Sequence, residues 1–252
     1  MPAPPSRSPR RRHLLPCLAL TLLAGALASC RPAGPPGLAS AVISDPKTFN
    51  PILVTDAGSG EAVAPLFDPL VRRDPVTLAM EPMLAERWEH DAAATTWTFH
   101  LRRNVRWHDG KPFTAQDVAF TFAAIFDERV ANSLKHVLTV DGAPPRVEVV
   151  DDHTVRFVLP RPFAPFLAAL GFEILPAHIL APRLADGTFT QAWGIDSAPA
   201  DIVGTGPWRL AQYVPAQFLR YERNPDYWMT DAAGAPLPYV GDRITLIVQD
   251  QN

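Results

Sequence analysis

Prolines constrain this chain most: 28 occur in 252 residues, 23 of them after residue 29, and they tend to fall between the periodic segments. A proline interrupts both a helical hydrogen-bond ladder and a central strand, so loops are expected to be many and stiff. What lies between them reads as short, mixed α and β elements. Leu38 to Ile43, apolar and uncharged, reads as a buried strand. Asp45-Pro46 and Asn50-Pro51 mark turns, and Thr55 to Gly60 (T-D-A-G-S-G) reads as a small-residue loop. A helix is expected from about Glu61, with Val63, Leu66, Phe67, Leu70 and Val71 spaced by threes and fours and interrupted by Pro65 and Pro69.

Further along, Thr95 to Leu101 alternates Trp97, Phe99 and Leu101 on one side, the pattern of a half-buried strand. Asp109-Gly110 signals a turn after Val105 to His108. A helix opens at Thr114, whose hydroxyl can cap while Asp117 reaches back; Val118, Phe122, Ile125 and Phe126 form its apolar stripe. Val147 to Val150 and Thr154 to Leu159 read as a hairpin, and Phe163 to Leu170 as a short apolar helix. Trp208 to Tyr213 with Phe218 to Glu222 make another strand pair, and Ile244 to Val248 a last apolar strand. A 47% hydrophobic content supplies a core for one or two lobes.

The first 29 residues differ in kind. Arg7, Arg10, Arg11 and Arg12 precede an apolar run from Leu14 to Ala28, too short to span a bilayer comfortably, which closes on Leu27-Ala28-Ser29-Cys30. This leader resembles a bacterial lipoprotein signal. The resemblance implies cleavage before Cys30, diacylation of its thiol and acylation of the new amino group. Several acyl chains, at about 0.8 kcal/mol per buried methylene, hold firmly where one would be marginal. An ordinary secretory leader with a chance cysteine, or a short anchor helix, are the alternatives. Cys17 lies in the leader, so Cys30 would stand alone after cleavage, without an internal disulfide. Removing residues 1–29 takes four arginines and no acid, leaving 19 minus 26, a charge of −7 with His neutral. That balance argues against nucleic acid as a partner. Arg31 to Gly37 (R-P-A-G-P-P-G) reads as a tether. No later apolar run approaches the ~18 residues of a membrane span.

Five stretches carry a more specific signal. L-A-E-R-W-E (84–89) leads into W-T-F-H-L-R (97–102), then W-H-D-G-K-P-F-T-A-Q-D-V (107–118), and G-T-G-P-W (204–208) is followed by R-N-P-D-Y-W (223–228). In this order they resemble the extracytoplasmic solute-binding proteins of the peptide and nickel class, known from ABC importers. The likeness covers residues 38–248. It implies a mixed α/β, periplasmic-binding-protein-like fold of type II, with a first lobe (38–60 and 172–252), an inserted small α+β subdomain (61–171), and the second lobe missing. Most signature residues are expected to specify the fold without touching solute. In relatives the loop after the first strand's turn faces the cleft between lobes. Phe49-Asn50-Pro51 matches that turn, which places Thr55, Asp56, Ala57, Gly58 and Ser59 at the solute; the resemblance also implies a hinge at Gln249 and Asp250, just past the last strand, where the crossover is expected. Backbone groups of such small residues suit an extended peptide, whatever its sequence. The implied partners are a peptide or other small solute, a permease and an ATPase, and a membrane reached through the lipid. The implied state is a monomer without cofactor, exported to the bacterial envelope. Half a clamp is expected to bind peptide weakly or not at all, which leaves a repurposed structural or interaction lipoprotein as the alternative.

Enzyme signatures do not assemble. The histidines after the leader (His90, His100, His108, His136, His153, His178) show neither H-E-x-x-H nor H-x-H spacing. Gly58-Ser59-Gly60 lacks the flanks of a nucleophile elbow, and Gly110-Lys111 is followed by Pro112 where a P-loop needs Ser or Thr. Gly204-Thr205-Gly206 runs into a strand and so does not open a dinucleotide-binding helix. Asp151-Asp152 suits a hairpin turn better than a catalytic pair, and a secreted hydrolase is the least favoured reading.

Overall fold

The first strand, β1 (Leu38–Val42), pairs in parallel with the last, β10 (Asp242–Ile247), so a sheet closes across nearly the whole described chain. The structure is a computed structural model and describes Met1 and residues 37–248. The leader, Cys30, the tether up to residue 36, and Gln249 and Asp250 lie outside the described residues. Residues Gly37–Asn252 form one compact unit.

Between these strands run α1 (Ala57–Val63), β2 (Val71–Arg73), β3 (Met80–Pro82), β4 (Ala85–His90) and β5 (Thr96–Leu101). They are followed by α2 (Ala115–Phe126), α3 (Leu134–Leu138), β6 (Arg146–Asp151) and β7 (Thr154–Val158). Then come α4 (Phe166–Ala169), α5 (Ala177–Ala185), β8 (Trp208–Val214) and β9 (Phe218–Arg223). One four-stranded sheet has the order β1-β10-β9-β8, a second β4-β5-β7-β6, and β2 pairs with β3 alone. The named strands of 61–171 therefore pair only with one another. The boundary drawn at residue 61 nonetheless cuts α1, whose Ala62 and Val63 share a core with Phe49.

The second sheet follows its sequence pattern closely. Along β5 every second residue (Trp97, Phe99, Leu101) is buried, as period-two alternation requires. Phe157 of β7 sits at the centre of an aromatic cluster, with ring centroids 5.5 Å from Phe99, 4.8 Å from Phe122 and 5.5 Å from Phe166. Burying each such ring contributes about 2–3 kcal/mol. Helix α2 delivers Phe122 because Val118, Phe122 and Ile125 recur at helical spacing and are all buried. Its start is fixed by Asp117, whose Oδ2 accepts the Thr114 N–H at 2.9 Å.

Three expectations are corrected. Thr55–Gly60 is not a loop: Ala57 opens α1, and Asp56 caps it by accepting the Ser59 N–H at 2.9 Å. The helix expected from Glu61 ends at Val63, because Pro65 has no N–H to continue the ladder. Leu66, Phe67, Leu70 and Val71 are buried as expected, but in irregular backbone and the start of β2. Finally, β1 is a strand but not a buried one. It lies at the sheet edge with Leu38 40% exposed, and Ile43 just beyond it is 67% exposed.

Candidate functional site

The segment Thr55–Ser59 leaves the 3-10 turn Pro51–Leu53, which the buried Asn50 opens by accepting the Ile52 N–H through Oδ1 at 3.2 Å. Thr55 and Ala57 are exposed, Asp56 is half-buried, and Gly58 and Ser59 are buried. The two buried residues face the protein. A Cβ on Gly58 would lie 2.7 Å from the Ser44 carbonyl oxygen, so only glycine lets the helix approach the end of β1. Ser59 Oγ accepts the Lys47 N–H at 2.8 Å and donates to Asp56 Oδ2 at 2.9 Å. Only Thr55, Asp56 and Ala57 therefore present groups outward. Extended backbone able to run beside a peptide stops at Asp56 (φ −138°, ψ 158°), since the next residue is helical.

Beside this segment lies a cavity of about 170 Å³ that the sequence did not disclose. Val54 and Gly60, flanking residues 55–59, both line it. Apolar walls come from Ile52, Val63, Leu134 and Phe172, and polar groups from Ser133 and Glu173. These residues are far apart in sequence, so no local motif announces the pocket. Glu173 is held by a bridge to Pro69 and by the Ile174 N–H donating to the Asp68 carbonyl at 3.2 Å. Glu173 is half-buried in this wall, and the loss of solvent there pushes its carboxyl above the usual range.

The signature residues hold the fold. His108 sits against the loop 204–206: its Nδ1 accepts the Gly204 N–H at 3.1 Å, so the proton is on Nε2, which donates to the Gly206 carbonyl at 3.1 Å. Burial lowers its pKa to about 4. Asn224 Nδ2 donates to the same Gly206 carbonyl at 3.1 Å. A Cβ on Gly204 would fall 1.7 Å from the Leu66 carbonyl oxygen, which explains that glycine. Trp107 Nε1 donates to Asp117 at 3.3 Å. The buried Asp68 accepts from Tyr227 Oη at 3.1 Å and Trp228 Nε1 at 3.0 Å, while Arg102 covers the Trp228 ring at 4.5 Å. Desolvation outweighs those hydrogen bonds and pushes the Asp68 pKa up to about 6.

A larger cavity, about 440 Å³, opens elsewhere between α5 and the segment 191–203, lined by Leu180, Arg183, Gln191, Trp193 and Asp201 among others. Trp193 has φ 60° there, and its carbonyl accepts the Phe49 N–H at 2.8 Å. Among the described residues no group of three or more His, Cys, Asp or Glu could hold a metal ion, and no helix is long and apolar enough to cross a membrane.

Residues 79–252 match the family described as bacterial extracellular solute-binding proteins, family 5 Middle. The sequence is 36% identical over 205 residues to the dipeptide-binding protein of Escherichia coli (strain K12), a match covering 73% of this chain and 37% of that protein. It is 33% identical over 227 residues to di/tripeptide-binding protein 2 of Pseudomonas aeruginosa (strain UCBPP-PA14), covering 83% and 42%. The fold matches the ABC transporter-associated periplasmic binding protein DppA of Helicobacter pylori, solved with the peptide STSA, at a TM-score of 0.70 and 27% identity, over 85% of this chain and 43% of that one. The chain spans about two fifths of the length of the curated relatives it matches.

Proposed function

Since this chain belongs to family 5 of the bacterial extracellular solute-binding proteins, we propose that it captures peptides, or a related small solute, for uptake through an ABC importer. The observation that carries this reading is the match to two peptide-binding relatives over about three quarters or more of the chain. In it, the outward-facing Thr55, Asp56 and Ala57 meet the solute, with Gly58 and Ser59 supporting them from behind. Gln249 and Asp250 serve as the hinge. The protein works as a monomer and does no chemistry on what it binds. A separate permease receives the solute, and a separate ATPase drives its passage. Lipid on Cys30 keeps the protein at the envelope surface, outside the cytoplasm.

Deleting the coding sequence from the source bacterium is expected to reduce uptake of labelled di- and tripeptides, with recovery on reintroducing the wild-type chain. Unchanged uptake of every peptide tested would refute the reading. Labelled palmitate should enter the wild-type protein and not the Cys30→Ser variant; equal labelling of both would remove the lipid from the account.

A further inference from the structure

The 170 Å³ cavity beside α1 contains one ionisable group without a counter-charge. Among the described residues, no Lys, Arg or His lines this cavity beside the half-buried Glu173. An acid in such surroundings is costly to ionise, and that cost disappears if a cation arrives with the ligand. The backbone around Glu173 is pinned on both sides, by the bridge to Pro69 and by the Ile174 hydrogen bond, so the side chain springs from a fixed point of the cavity wall. The remaining walls (Ile52, Val54, Val63, Leu134, Phe172) are apolar, suited to the methylene stem that carries a charged head. At about 30 Å³ per water the space holds roughly five waters, enough for an ammonium or guanidinium group with a short alkyl stem. The exposed Ser133 hydroxyl at the rim supplies a further acceptor.

We propose that this cavity is a subsite for a cationic group of the solute, an alkylammonium or alkylguanidinium, with Glu173 as its counter-ion. The inference rests on the solute-binding reading above and narrows it to solutes bearing a positive group. It also supplies a reason for the segment 55–59 to lie where it does. A solute crossing Thr55–Ala57 can drop a basic side chain between Val54 and Gly60.

The test uses agmatine and n-butylammonium as probes and n-butylurea as the uncharged control. The whole 252-residue chain would be followed by carbon-13 NMR of its glutamate carboxyls. Both cations should shift the Glu173 resonance and lower its titration midpoint, and n-butylurea should not. Glu173→Gln, checked for an unchanged melting temperature, should weaken both cations by at least about tenfold, the loss expected for one charge-assisted hydrogen bond. A Glu173 resonance indifferent to both cations on the wild-type chain would overturn the proposal, whatever the variant does. So would equal binding by Glu173→Gln. Peptides separate this inference from the broader reading. If Ala-Lys and Ala-Glu bind with a preference that Glu173→Gln does not alter, the subsite is wrong and solute capture stands. If agmatine binds through Glu173 while no peptide is taken up, the cation subsite stands and the peptide reading falls.

Discussion

Acidification should weaken this fold through His108 by an amount the structure lets one calculate. Both ring nitrogens are committed, Nδ1 as acceptor for Gly204 and Nε2 as donor to Gly206, so a second proton would turn the acceptor into a donor facing another donor. The folded pKa, about 4, lies below the ordinary 6.5. A depressed histidine binds fewer protons folded than unfolded. Its stabilising contribution is therefore complete above pH 6.5 and drains away as pH falls toward 4. Linkage puts the loss between pH 7.5 and pH 5 at about 2 kcal/mol. Asp68 works in the opposite direction: its folded pKa is raised to about 6, so the folded state gains stability as pH falls through the window between 6 and 3.8. A bare pH titration of stability would mix the two. His108→Asn keeps an acceptor for the Gly204 N–H but cannot protonate. The stability difference between wild type and this variant, from urea unfolding followed by tryptophan fluorescence, should shrink by about 2 kcal/mol from pH 7.5 to pH 5. Asp68 and every other group common to both proteins cancel in that difference. A pH-independent difference would show that His108 is not held neutral between the two glycines.

Three further substitutions test the close packing at Gly204 and the outward face of α1. Gly204→Ala should cost about 4 kcal/mol or more, since its methyl would overlap the Leu66 carbonyl, whereas Gly110→Ala, at φ +86° with open space around it, should cost about 1–2 kcal/mol for the left-handed backbone alone. Similar thermal shifts for the pair would contradict the close approach. Ala57→Pro should leave the melting temperature nearly unchanged, because proline is favoured at the first helical position and Asp56 already has the extended backbone that precedes one. In a full-length context it should still weaken solute binding by removing the Ala57 N–H, and calorimetry showing undiminished affinity there would exclude Thr55–Ala57 from the site.

What the sequence disclosed and what it hid follow from the range of the forces involved. The alternation in Thr95–Leu101 and the stripe in α2 are local, and both elements form where their periods place them. Thr55–Gly60 deceived because its glycines and serine are poor helix formers in isolation. The helix forms there because Asp56 caps it and because Gly58 fits against Ser44, a contact invisible to any window along the chain. The exposure of β1 was hidden for the same reason: apolar composition suggests burial, but the strand's place at the edge is a property of the sheet. Glu173 carried no signal of its own. Its setting exists only once residues 51–63, 133–134 and 172–173 meet.

The pairing of β1 with β10 sets the order in which this protein can be completed. Ser40 and Thr245, whose hydroxyls meet at 3.0 Å, are 205 positions apart, so the amino-terminal strand must wait for nearly all the described chain before its partner exists. Closing so long a loop is slow relative to forming the hairpins within it, and the intervening sheets can assemble first. During synthesis β1 therefore stays without its strand partner until β10 has been made, long after the hairpins between them.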